Sequence, residues 1–318
     1  MLNKFKIGVR GMALMVIFLI IIAILTVGTV NEDTVSSQDV VKEKIANDMK
    51  NYSWASSIEQ DLIIGNIEKP QNAKMYVASE NDLMVSSAQK PTPELAPRWY
   101  TEETLSPISP QNSLEGISAG YQIFGTPSSS VYSGRIYGRT SSPQSLIDNG
   151  KDYMVMHQWG VYNGQTTENC VVATRWGSSV AYSIKIDGAG GYQDWVYYPA
   201  SDTISIGIRA DTDSGQRIYN SVFVWVWDVT TDTFWSKTYT LSRTEEINDV
   251  DVALEQPNDY PYPSGNWTCF YNVNAFDQDI HSIPLADHFR WAEHSFPEIM
   301  TNQHSEDFNA ITFWQRKV

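Results

Sequence analysis

Basic residues are scarce in this chain: 22 Lys and Arg stand against 37 Asp and Glu among 318 residues, a formal net charge of −15. A surface this acidic repels phosphate backbones, which argues against nucleic acid as a partner. Cysteine is scarcer still, with two residues, Cys170 and Cys269. No Cys/His cluster has metal-ligand spacing, so neither a metal nor another cofactor is expected. Outside the cytoplasm the two thiols could close a disulfide around a loop of ~100 residues; the alternative is a pair of buried thiols. His281, His288, His294 and His304 are scattered through a polar C-terminal stretch and read as surface residues. No internal repeat is visible, and helical periodicity almost vanishes after Ser118.

Charge is missing altogether from Met12 to Val30, nineteen residues that follow a basic start with Lys4, Lys6 and Arg10. An apolar helix of ~20 residues matches a ~30 Å hydrocarbon core. Residues 12–30 are therefore expected to anchor the chain in a bilayer, with 1–11 cytoplasmic and everything after Asn31 outside. The alternative is a cleaved secretory signal ending near Thr26-Val-Gly28, which exports the remainder equally. Asn51-Tyr-Ser53 and Asn266-Trp-Thr268 would then be glycosylation sequons, open to use at Asn51 and Asn266.

Residues 31–85 are expected to form a partly helical stalk, because Val41, Ile45 and Met49 recur at a spacing of four and Asp33 or Ser36 is placed to cap a helix. Residues 86–117 collect Pro91, Pro93, Pro97, Pro107 and Pro110, a composition that works as an extended linker. From 118 to 318 short β runs alternate with turn residues. Strands are expected at Val131–Thr140, Met154–Val161, Cys170–Trp176, Val180–Ile186, Trp195–Tyr198 and Thr203–Ala210, and further on at Gln216–Trp227, Thr233–Leu241, Val250–Leu254, Cys269–Val273 and Ala310–Trp314. Turns fall at Asn163-Gly164, Asp187-Gly188, Asp213-Ser-Gly215 and Ser264-Gly265. Strands spaced near ten residues indicate an all-β sandwich or barrel. Val222 to Trp227 is apolar at every position, the mark of a central strand covered on both faces.

Five segments, taken in order, resemble the glutamic peptidases of the eqolisin type. They are Trp159-Gly-Val-Tyr-Asn-Gly164, Ser201-Asp202-Thr-Ile204, Asp213-Ser-Gly215 with Tyr219-Asn220, Asn248-Asp-Val-Asp-Val-Ala-Leu-Glu255, and Pro284-Leu-Ala-Asp287. The resemblance implies a concanavalin-like double-sheet β-sandwich of jelly-roll type. It also implies a catalytic pair, a Glu acting as general base on water and a Gln steadying the oxyanion. The Glu is matched by Glu255. In the register set by Trp159–Gly164 the Gln position holds Ala173; another register puts Gln158 on the family's Gln-x-Gly pattern. Loss of an oxyanion donor typically costs ~10²–10³ in rate, so Glu255 with Ala173 implies a degenerate enzyme.

The leading expectation is thus a membrane-anchored, extracytoplasmic sandwich that binds a peptide or glycan polymer, with Trp159 and Trp176 as groove aromatics. Trp225 and Trp227 share a face with Phe223 and are expected in the core. A rival expectation is an active acid endopeptidase using Glu255 with Gln158, and a third is a structural cell-surface or envelope protein. Glu245, Glu246, Asp249 and Asp251 form an acidic run that either holds a cation such as Ca²⁺ or is simply solvated.

Overall fold

The computed structural model describes residues 32–79, 117–123, 132–140, 146, 152–213, 215–256, 267–283, 289–292, 300–305 and 308–315. The anchor expected at 12–30, nearly all of the 86–117 linker and the sequon residue Asn266 lie outside them. Among the described residues no helix is long and apolar enough to cross a membrane. By compactness the chain divides into Met1–Lys44 and Ile45–Val318.

In the first unit the described part is helical from Glu32 onward, the start of α1 (Glu32–Asn51). Asp33 and Ser36, the expected caps, therefore lie inside the helix. Asn51 is its exposed last residue.

The second unit begins within α1 and continues with α2 (Ser53–Ile64), which the sequence placed in a stalk. Instead α2 packs on a sheet. Ala55, Glu59, Leu62 and Ile63 are its buried residues, spaced as one helical face. Its chain turns away at Gly65, left-handed at φ 91°. Buried carbonyls of its last turn, otherwise without partners in a helix, accept from arginines of the sheet. Arg135 Nη1 donates to Ile63 O at 2.9 Å and Arg209 Nη1 to Leu62 O at 2.5 Å.

Among the described residues fifteen strands follow. They are β1 (Lys74–Met75), β2 (Ile117–Ile123), β3 (Ser133–Thr140), β4 (Tyr153–Tyr162), β5 (Gln165–Trp176), β6 (Ser179–Ile186), β7 (Gly191–Pro199) and β8 (Ile204–Ala210), then β9 (Ile218–Asp228), β10 (Thr233–Gln256), β11 (Trp267–Asp277), β12 (Ser282–Ile283), β13 (Phe289–Ala292), β14 (Met300–Ser305) and β15 (Ala310–Gln315). Sheet one runs β14-β15-β11-β3-β8-β9 and ends on the first part of β10. Sheet two runs β13-β2, the second part of β10, then β4-β5-β6-β7. The two runs expected at Thr233–Leu241 and Val250–Leu254 are one strand, 24 residues long, that belongs to both layers. Strands β1, β2, β12, β13 and β14 were not expected from the sequence, whereas the expected runs at the remaining positions are present within a few residues of their bounds.

The sandwich interior is filled by alternate residues of both layers, among them Met154, Met156, Val171, Val224, Val252 and Leu254. The outer face of sheet one buries Tyr137, Phe223, Trp225, Trp227 and Phe234 beneath Ala55, Leu62 and Ile63 of α2. This bears out the double coverage expected of Val222–Trp227. A buried aromatic ring removes roughly 150–250 Å² from water, worth ~4–6 kcal/mol at ~25 cal/mol per Å² as an upper bound. Two indoles under one helix thus hold α2 firmly. A bidentate ion pair pins it further: Glu59 accepts from Arg139 Nε and Nη2 at 2.7 Å each, with both side chains fully buried.

The β4–β5 hairpin turns at Asn163-Gly164, φ 47° and 76°, the two left-handed residues that a two-residue hairpin of right-twisted strands needs. This tight turn fixes the register that builds the outer face of sheet two.

Candidate functional site

Side chains alternate strictly along a strand, and the register decides which meet. On β4, Met154 and Met156 enter the interior, so Tyr153, Val155, His157 and Trp159 stand on the outer face. Across from them on β10 stand Glu255, Ala253, Asp251 and Asp249; on β5 stand Thr174, Val172, Cys170 and Glu168. The row Asp251–His157–Cys170–Lys185–Tyr192 crosses five strands, and the row Glu255–Tyr153–Thr174–Ala181–Tyr197 runs parallel to it, with Ala253–Val155–Val172–Ser183–Trp195 between them.

His157 is the hub. Its Nδ1 lies 2.5 Å from Asp251 Oδ1, its Nε2 2.9 Å from Glu168 Oε1 and 4.0 Å from Glu255 Oε1. Trp159 stacks on the imidazole at 5.1 Å between centroids and donates from Nε1 to Asp251 Oδ2 at 3.1 Å. Burial pulls the imidazole pKa down, but the Asp251 and Glu168 carboxylates outweigh it and raise it to about 10. At neutral pH the ring is therefore an imidazolium with both N–H groups directed at carboxylates. Glu168 is also bridged to Lys185, a pairing that with His157 overcomes burial and holds its pKa below the ordinary carboxylate value. Glu255 is 6% exposed and accepts from the Tyr153 hydroxyl at 3.0 Å. Burial, then Glu255, raises the phenol pKa, so Tyr153 remains a donor.

His157, Glu168 and Cys170 offer donor atoms within 4.8 Å of one another, a spacing a metal ion can use. Two facts weigh against a fit. His157 Nε2 and Glu168 Oε1 are engaged with each other, and the Lys185 ammonium sits against the same carboxylate. Burial also pushes the Cys170 thiol well above its usual pKa, and thiols bind metals as thiolates.

The residues singled out from sequence are distributed as follows. Glu255 lies in this cluster, and so does Trp159, which is buried against His157 rather than presented to a groove. Trp176 is half-buried at the end of β5 on the same outer face. Gln158 and Ala173 are on the opposite face: Ala173 packs in the sandwich interior, and Gln158 is sealed in a second polar network. There Gln158 Oε1 accepts from Asn169 Nδ2 at 2.7 Å, its Nε2 donates to Trp159 O at 2.7 Å, and Tyr219 and Thr167 both donate to Glu245 Oε2, at 2.8 and 2.6 Å. A Gln158–Glu255 pair around one water is thereby ruled out, and so is the placement of Ala173 opposite Glu255. The inference of a degenerate dyad loses its basis.

The acidic run divides in the same way. Glu245 turns inward to Arg243 and Tyr219 while Asp251 turns outward to His157, so these residues form no common cation site. Cys170 is in sheet two and Cys269 in sheet one; both are buried and no disulfide joins them.

Sequence reasoning missed His157, Glu168, Asp251 as a histidine partner, Lys185 and Tyr153. The available signal was parity: Tyr153, His157 and Trp159 share one face of a strand whose opposite face is Met154 and Met156.

The second unit is thus a two-layer, mostly antiparallel β-sandwich with a carboxylate–imidazolium cluster on the outer face of one layer. No protein-family model and no curated protein matches the chain. Among solved structures it is similar to scytalido-glutamic peptidase with a peptide-based transition state analog, with a TM-score of 0.46 and 12% identity over 63% of this chain and 98% of that one. It is similar to the same peptidase with a transition state analog inhibitor at a TM-score of 0.45 and 12% identity, over 63% and 98% of the two chains. It is also similar to SCP-B, a member of the Eqolisin family in complex with the tripeptide Ala-Ile-His, at 0.43 and 13% identity, again over 63% and 98%.

Proposed function

We propose that this chain is a polypeptide hydrolase whose reaction centre is the outer face of sheet two, with Glu255 as general base. One observation carries the reading: a buried carboxylate, held by the Tyr153 hydroxyl at 3.0 Å, faces an imidazolium nitrogen across 4.0 Å. That is a separation one water spans. Glu255 takes a proton from this water as its oxygen attacks the peptide carbonyl. The negative charge moves from Glu255 to the tetrahedral oxygen; the Tyr153 hydroxyl, released as Glu255 takes up the proton, donates to it, and the nearby His157 imidazolium stabilises it through its charge. The C–N bond then breaks as Glu255 returns the proton to the departing amine. Asp251 and Trp159 act through His157, fixing its ring and its charge. The motif order that resembles glutamic peptidases supports polypeptide as the substrate class, with His157 and Tyr153 in place of the family's Gln. We further propose that residues 12–30 hold this domain at the outer side of a membrane.

The test is incubation of the full chain with a denatured protein from pH 2 to 7, beside Glu255→Gln. Gln keeps a hydrogen bond to Tyr153 but cannot act as a base, so cleavage should fall at least ~10²-fold. Binding of the protein without cleavage by the unmutated chain would overturn the proposal and leave a non-catalytic polymer-binding domain.

A further inference from the structure

Two polar atoms on the outer face of sheet two stand out: Thr174 Oγ1 and Trp176 Nε1 are shielded from solvent and have no hydrogen-bond partner. A buried donor left unpaired costs ~1–3 kcal/mol, and two of them neighbour each other on one strand face. Thr174 is completely buried, whereas Trp176 is half-buried, so the pair extends from the covered face to its rim. The position next to them is meaningful. Thr174 is directly opposite Tyr153, which is directly opposite Glu255. Two strand spacings put Thr174 ~10 Å from the carboxylate row.

We propose that Thr174 and Trp176 form a substrate-positioning subsite for the backbone carbonyls of an extended polypeptide, an inference that rests on the reading of Glu255 as a hydrolytic base. The indole N–H is a donor only, so its missing partner is an acceptor. Residues two apart on a strand stand ~6.8 Å apart on one face. Carbonyls on one side of an extended peptide repeat at that same interval, so one stretch of substrate serves both donors at once. Val172 and Ala181 beside Thr174 carry no polar group that competes for it.

The test uses the full chain carrying Glu255→Gln, which binds without turnover, and reduced, carboxymethylated α-lactalbumin as probe. Thr174→Val and Trp176→Phe keep shape and remove the donor. Each should weaken binding about 5–10-fold, the worth of one hydrogen bond at ~1–1.4 kcal/mol. Because neither donor has a partner to lose, the melting temperature should hold or rise. Unchanged affinity, no binding at all, or a fall in melting temperature that matches the loss of binding would each overturn the subsite. Binding of a soluble β-glucan in place of the protein, weakened by the same substitutions, would assign the pair to a glycan and overturn it as well. Donor-dependent binding by a chain that never cleaves would retain the subsite and refute the hydrolytic reading. Cleavage with a KM unmoved by both substitutions would do the reverse.

Discussion

Replacing His157 by Gln removes one positive charge from between Asp251 and Glu168 while leaving an amide that can still donate to Asp251. The structure sets the size of the effect. A histidine whose pKa rises from 6.5 to about 10 on folding contributes on the order of 5 kcal/mol when fully protonated, at ~1.36 kcal/mol per unit. Removing one partner of a buried ion pair costs a similar ~3–5 kcal/mol. The sign follows from the direction of the shift. A raised folded pKa means the native state holds the proton more tightly, so the contribution is complete below pH 6.5 and is lost as pH rises through about 10. Urea unfolding of the full chain and of His157→Gln should show a gap of several kcal/mol at pH 6 that closes toward pH 10. A gap constant across that window, or an imidazole that titrates by NMR below pH 7, would refute the charged hub.

Other outcomes follow from the packing. Glu59→Gln should lower unfolding free energy by ~3–5 kcal/mol, because it leaves the fully buried Arg139 guanidinium without its countercharge; equilibrium denaturation measures this. Gly207→Ala should destabilise by ~1–3 kcal/mol or more, since the new Cβ would meet the rigid Trp225 ring at 2.0 Å, and a thermal melt reads the loss. Thiol titration of the chain unfolded without reductant should find two reactive cysteines, whereas none would indicate a Cys170–Cys269 disulfide.

The sandwich was legible because alternation and turn residues survive in the sequence strand by strand. Val222 to Trp227 announced a twice-covered strand, and Asn163-Gly164 a tight hairpin. The site was legible only in part. Glu255 was found through its motif, but its neighbours are set by pairing between strands up to a hundred positions apart, as with His157 and Asp251. Composition records no such pairing. A one-residue change of parity also decides a face, and this is why Gln158 and Ala173, both attractive by motif, are interior residues. The stretch Ser242-Arg-Thr-Glu-Glu246 falls between the strands expected at Thr233–Leu241 and Val250–Leu254. In the fold it is the crossing of β10 between layers, where Arg243 and Glu245 satisfy each other.

That crossing has a mechanical corollary. Pairing of β10 with β9 shifts register between Thr240 and Glu245 and ends at Glu246, and pairing with β4 begins at Ile247, so a single ribbon is stitched first to one layer and then to the other. Shear of the layer bearing Glu255 against the layer clamped by α2 must flex this ribbon where its partner changes. Strain applied at the tryptophan-covered side is thereby delivered to Asp251 and Glu255, along the chain itself.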